Sequence, residues 1–139
     1  MIPPAARPPA GFTLFAGRGP FTTHNGPIYR GEIEDGVCQG FYALARHCNG
    51  MGLIHGGMIS AFFDGLLAGA AARGAGLTPI TVQLSIYFLG VGREGDWVVG
   101  HARATRRTRD IVFVEGHIFV DDRDLARASA VFKLTEPKG

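Results

Sequence analysis

Residues 55–73 read HGGMISAFFDGLLAGAAAR, and Asp64 is the one ionisable group between His55 and Arg73. The run holds no proline and is apolar or small at almost every position, which predicts a buried core helix over about 56–72. Gly74 and Gly76 supply its stop. A carboxylate in such a helix is costly unless it is paired or used. Nothing on the segment itself can pair Asp64. Either a distant part of the fold satisfies it, or the position exists for chemistry.

Downstream of this helix the hydrophobic period changes from 3.6 to 2. In 80–89 (ITVQLSIYFL), Val82, Leu84, Ile86 and Phe88 alternate with Thr81, Gln83, Ser85 and Tyr87. In 97–105, Gly100, Ala102 and Ala104 oppose His101 and Arg103. In 111–121, Val112, Val114, Gly116, Ile118 and Val120 share a face. In 125–134, Ala126, Ala128, Ala130, Phe132 and Leu134 do the same. Four such strands with turn-sized gaps predict an antiparallel meander. The small residues on three inner faces let a bulky element approach, and the helix carries Phe62, Phe63, Leu66 and Leu67 for that purpose. The expectation is an α+β fold, a curved antiparallel sheet wrapped around one long central helix.

Upstream, 31–46 (GEIEDGVCQGFYALAR) reads as a hairpin or two short strands around Asp35-Gly36. Residues 47–54 form a loop, and 11–30 a short helical turn and an access loop. The start, MIPPAARPPAG, reads as an extended arm. This divides the chain into an arm and access segment, 1–30, and a single domain, 31–139.

At 139 residues, 46% of them hydrophobic, the chain can build a proper core. A net charge of +2 is too mild to point to nucleic acid. The one run near membrane-span length contains Asp64 and precedes strand patterns, which argues against a span. Cys38 and Cys48 match no metal spacing. Without a secretory leader pattern, a reduced cytoplasmic chain is expected. His24, His47, His101 and His117 likewise show no metal spacing, so no metal is expected.

His55-Gly56-Gly57 opens the helix, and a glycine pair there leaves backbone N–H groups open to a developing oxyanion. Asn49 precedes His55 by six residues and Asp64 follows it by nine. This combination, Asn49-x5-His55-Gly56-Gly57-x6-Asp64, resembles the signature of the hotdog-fold acyl-CoA thioesterases, in the branch of the phenylacetate-pathway thioesterases. The resemblance covers about residues 36–135.

It implies a hotdog fold and hydrolysis of acyl-CoA, aromatic or medium to long in its acyl group, with no cofactor beyond the CoA of the substrate. Asp64 would be general base or nucleophile. Gly57 N–H, with Gly56 N–H, would polarise the carbonyl, and Asn49 would orient water or thioester. His55 would buttress the helix start, and Thr81 would hydrogen-bond the acid or the water. Arg106, Arg107 and Arg109, in the turn RRTRD, resemble the family's basic turn for CoA phosphates, with Arg127 and Lys133 as alternatives. Relatives often carry a proline after the strand 80–89, where this chain has Gly90-Val91-Gly92.

Gly57 and Asp64 are seven residues apart, roughly 11 Å along a helix. One carbonyl cannot touch both, so a two-fold dimer with shared sites is expected, and a tetramer of such dimers is compatible with it. Phe62, Phe63, Tyr87 and Phe88 are expected in the core, with the depth of the acyl pocket set by Phe62, Phe63 and residues 11–30. Two alternatives remain: an acyl-CoA-binding hotdog domain without turnover, and a thioesterase for acyl-carrier protein.

Overall fold

The structure, a computed structural model, describes residues 7–137; the first six residues of the expected arm lie outside them. The elements are β1 (Thr13–Leu14), α1 (Pro20–Asn25), β2 (Tyr29–Gly31), β3 (Val37–Tyr42), α2 (Gly56–Ala72), β4 (Thr78–Phe88), β5 (Trp97–Arg107), β6 (Ile111–Val120) and β7 (Arg123–Thr135). The long helix occupies the span expected of it. Seven strands form one sheet, ordered β1-β2-β3-β5-β6-β7-β4, every pairing antiparallel. The sheet wraps α2, which is the hotdog arrangement.

The expected meander is corrected at one place: β4 pairs with β7 and not with β5. Of the four strands expected in the meander, β5, β6 and β7 run in that order. The connection from Phe88 to Trp97 is about eight residues, which reach roughly 26 Å. The crossing from β4 to β5 spans three strand spacings, about 14 Å. A gap of that length does not force its two strands to be neighbours. The segment before β3 joins the same sheet, because β2 pairs with β3 and β1 with β2.

Packing between helix and sheet depends on missing side chains. A Cβ at Gly100 would stand 2.6 Å from Leu66 Cδ2 and 2.9 Å from Phe62 Cε2. A Cβ at Gly116 would meet Leu67 Cδ2 at 3.1 Å and the His101 carbonyl oxygen at 2.8 Å. Interiors are too densely packed to absorb such overlaps. Phe63, Leu66 and Leu67 are fully buried against Phe41, Val98, Val112, Ile118 and Phe132.

Strict alternation fails in β4. A bulge between Thr81 and Gln83 pairs Thr81 with Phe132 and Gln83 with Val131, leaving Val82 as the extra, exposed residue. The extra residue inverts the side-chain parity. Thr81 therefore shares the helix-facing side with Leu84 and Ile86, whereas simple alternation places it opposite them. Tyr87 and Phe88, expected in the core, are exposed. β4 is one of the sheet's two edge strands, so side chains near its end have no neighbouring strand on one side to cover them.

A similar bulge between Ala104 and Arg106 affects β5. Arg106 pairs with exposed Phe113 and Arg107 with buried Val112, so these two arginines sit on opposite faces of the sheet. They also belong to the end of β5, and only Arg109 lies in the turn.

Candidate active site

The helix start is built by His55. It caps α2, and its Nδ1 accepts the Gly57 N–H at 2.7 Å. Its own N–H donates to the His47 carbonyl at 2.8 Å, and its carbonyl accepts from Met58 and Ile59 at 2.9 and 3.1 Å. The Gly57 N–H is thus already given to an imidazole, and a substrate oxygen can take it only when that ring turns aside. The Gly56 N–H has no acceptor among the described residues. A Cβ on Gly57 would fall 2.9 Å from His55 Nδ1, which ties the glycine to this cap.

Asn49 organises the loop ahead of the helix. Its Oδ1 accepts from the N–H groups of Met51 (2.9 Å) and Leu53 (3.2 Å), and its N–H donates to the Leu53 carbonyl at 2.8 Å. This is an Asx turn. Among the described residues Asn49 Nδ2 has no partner, so the amide nitrogen is the part left for a ligand.

The loop rests on buried His47. Its Nδ1 accepts the Leu44 N–H at 3.0 Å, which assigns the proton to Nε2, 2.7 Å from the Asn25 carbonyl oxygen. Burial holds this imidazole below its ordinary pKa. His101 and His117 pair across β5 and β6 with ring centroids 5.6 Å apart, and burial lowers both. Among the described residues no three His, Cys, Asp or Glu side chains gather as a metal site. No helix there is long and apolar enough to cross a membrane.

Asp64 lies mid-helix, partly buried. Thr81 Oγ1 donates to its Oδ1 at 2.6 Å, the length of a charge-assisted bond. The pairing that the helix could not supply comes from the strand. The β4 bulge makes it possible, because it turns the hydroxyl toward α2. Oδ2 of Asp64 has no partner among the described residues, so one carboxylate oxygen is held and the other is free to work. Arg107 stands by Ala70 and Gly74, at the helix's C-terminal end and away from its start.

Within one copy the structure therefore brings Asp64 and Thr81 together, and separately joins His55, Gly57 and the Asn49 loop. Arg106, Arg107 and Arg109 belong to neither group. Sequence reading also passed over buried Gln39 and half-buried Arg18; a glutamine in the apolar strand 37–42 was the available signal.

Residues 51–127 match the model of the thioesterase superfamily, a stretch that holds His55, Gly57, Asp64 and Thr81. The chain belongs to the thioesterase superfamily. It is a thioester hydrolase. Over 129 residues, 91% of this chain and 96% of the relative, it is 32% identical to a protein of Pseudomonas aeruginosa named Putative esterase PA0474. Solved structures carry the same fold at lower identity. The PaaI protein of the phenylacetic acid degradation operon of E. coli superposes with a TM-score of 0.76 at 19% identity, over 85% of this chain and 86% of that one. A hypothetical thioesterase of Streptococcus pneumoniae, solved with coenzyme A, gives 0.73 at 18% identity over 92% and 98%.

Proposed function

We propose that this thioesterase hydrolyses acyl-CoA to the free acid and CoA, at sites that two copies of the chain share. The observation that carries the reading is Asp64, held through Oδ1 by Thr81 with Oδ2 left open. As general base, Asp64 takes a proton from water as the oxygen attacks the thioester carbonyl, and the CoA thiolate leaves from the tetrahedral intermediate. As nucleophile, Oδ2 forms an anhydride that water then cleaves. In either route the negative charge on the carbonyl oxygen falls to the Gly56 N–H, joined by Gly57 N–H once His55 rotates. Asn49 Nδ2 would orient thioester or water, and CoA is substrate rather than cofactor.

Two distances support sharing between copies. Gly57 and Asp64 are separated by roughly 11 Å of helix rise. Thr81 accompanies Asp64, and the Phe88 ring stands 3.6 Å from where a Gly56 Cβ would be. β4 thus runs past both half-sites, and it is an edge strand of the sheet, with Ile80, Val82, Tyr87 and Phe88 exposed. Such an edge invites a further strand. If two β4 edges pair antiparallel about a two-fold axis near Leu84–Ser85, Thr81 of one copy lies opposite Phe88 of the other. That brings Asp64 of one copy toward the helix start of its partner. A tetramer would pair such dimers.

Arg106, Arg107 and Arg109 are the cations proposed for CoA phosphates, Arg106 and Arg107 from opposite faces. The free thiols Cys38 and Cys48 support a reducing, cytoplasmic setting. One observation favours a second reading, acyl-CoA binding without turnover: the Gly57 N–H is capped by His55.

Thiol release from aromatic, medium-chain and long-chain acyl-CoAs and from acyl-carrier protein, with wild type and Asp64→Ala, decides among these readings. Wild-type release from acyl-CoA is expected. Silence on every acyl-CoA overturns the reading, and a near-full rate for Asp64→Ala overturns the site. Mixing Asp64→Ala with Gly57→Pro subunits restores activity only if sites are shared; subunit exchange without rescue rejects sharing.

A further inference from the structure

The thioesterase reading leaves one buried group unused. Gln39, on β3, is 2% exposed, and its Nε2 has no hydrogen-bond partner among the described residues. Leaving an amide donor buried and unpaired is costly, and such groups are rare in folded proteins. The side chain is aimed at α2, where Nε2 lies 3.5 Å from the place a Gly69 Cβ would occupy.

The surroundings are rich in cationic donors and poor in anions, with Thr22 and Asn25 as the neutral polar side chains of the lining. A cavity of about 20 Å³, room for one water, separates Gln39 from Arg18 of the segment before α1, and Ala61, Phe62 and Gly65 of α2 close it. Arg18 Nη2 donates to the Gly65 carbonyl at 3.4 Å, and its guanidinium stacks on Phe15 at 4.3 Å. Arg30 approaches the same ring at 5.3 Å. Neither arginine forms an ion pair among the described residues. Beyond Gln39 a pocket of about 400 Å³ opens past Gly69, walled by Arg30, Arg73 and a single acid, Glu32. Burial also lowers the Arg18 pKa, as expected of a cation without a counter-ion.

This donor cluster sits beside the proposed site. Gly65 follows Asp64 directly, and Ala61 precedes it by one turn on the same side of α2. Along the helix axis the cavity lies level with Asp64, and Gly69, which faces the Gln39 amide, is about 7.5 Å further on. Resting on the acyl-CoA reading above, we infer that Gln39 and Arg18 form the far end of the acyl pocket and recognise a carboxylate at the distal end of the acyl group. The preferred substrates are then half-thioesters of dicarboxylic acids, with the free carboxylate taking the Gln39 amide and the Arg18 guanidinium together. Opening the small cavity toward the larger pocket makes room for that carboxylate by displacing the water the cavity can hold.

The test compares hexanoyl-CoA with adipoyl-CoA, which are matched in chain length and differ at the far end. The expected result is a kcat/KM at least about tenfold higher for adipoyl-CoA, and a ratio that collapses toward one in both Gln39→Leu and Arg18→Met. Gln39→Leu is also expected to melt at or above the wild-type temperature, since it removes an unpaired buried donor. A Gln39 serving only the structure would lower the melting temperature and leave the ratio in place, which overturns the inference. Equal kcat/KM for the two thioesters in wild type also overturns it, since only water then meets Gln39. In that case hydrolysis of hexanoyl-CoA leaves the acyl-CoA reading standing. Failure of the reading itself shows separately, as silence on every acyl-CoA. Phenylacetyl-CoA against 4-hydroxyphenylacetyl-CoA forms a further arm: a preference for the hydroxyl without one for the carboxylate rejects the charge and hence the inference.

Discussion

The two sides of α2 are made from different residues and do different work. Toward the sheet it presents Phe62, Phe63, Leu66 and Leu67, all buried. Along the other side run Gly57, Ala61, Asp64, Gly65 and Ala68, none of them buried. The first side holds the fold, each large side chain contributing about 1.5–3 kcal/mol. The second gives up that stabilisation and leaves a shallow surface of small residues with one carboxylate placed in it. A helix apolar nearly all round can carry a charge because the sheet never closes over this side, and because Thr81 reaches it from the edge.

The contrast can be broken by exchanging what each side is asked to do. Leu66→Ala should cost about 3 kcal/mol of stability, read in chemical unfolding, with kcat per folded molecule kept. Asp64→Ala should do the reverse, lowering the rate about 100-fold or more with little change in unfolding. If Leu66→Ala lost catalysis in proportion to nothing in its unfolding curve, the division of labour would be wrong. Gly100→Ala sharpens the same point from the sheet. Its Cβ would overlap Leu66 and Phe62, and a loss of about 2 kcal/mol is expected in thermal or chemical unfolding. Thr81→Val keeps the shape and removes the donor to Asp64, so a rate loss of about tenfold is expected without loss of fold.

The smallest effect is on pH. His47, His101 and His117 are held below the ordinary value of 6.5, in each case mainly by burial. The unfolded chain therefore binds protons at a higher pH than the folded one. Stability should be complete above about pH 6.5 and decline as the pH falls through 6.5 toward the folded values. Melting temperatures at pH 7.5 and 5.5 measure this, and His47→Gln should flatten part of the difference.

Much of the fold was legible because α2 and the sheet strands announce themselves by period. Residues 56–72 run as one helix, and inner positions such as Val112, Ile118 and Phe132 fall where alternation puts them. The candidate site was legible in residue type and spacing, since Asp64 had no possible partner nearby and the glycine pair at 56–57 marks a helix start. The β4–β7 pairing was not legible, because a connection of that length permits several neighbours. Nor were the two bulges, since an extra residue in a strand leaves no mark in composition yet inverts every side chain beyond it. This is why Thr81 was named for its resemblance while its face was misplaced, and why Arg106 and Arg107 read as one basic cluster although they point to opposite faces.

By itself the sequence determined that one helix would be buried, that it would carry a lone carboxylate, and that flanking strands would offer it small inner residues. Those facts depend only on hydrophobic period and on the cost of an unpaired charge, which are local. The tertiary structure alone decided which hydroxyl meets Asp64, that His55 already holds the Gly57 N–H, and that Gln39 is left buried without a partner. Those depend on strand register and on contacts between residues far apart in the chain, where a shift of one residue changes which atoms meet.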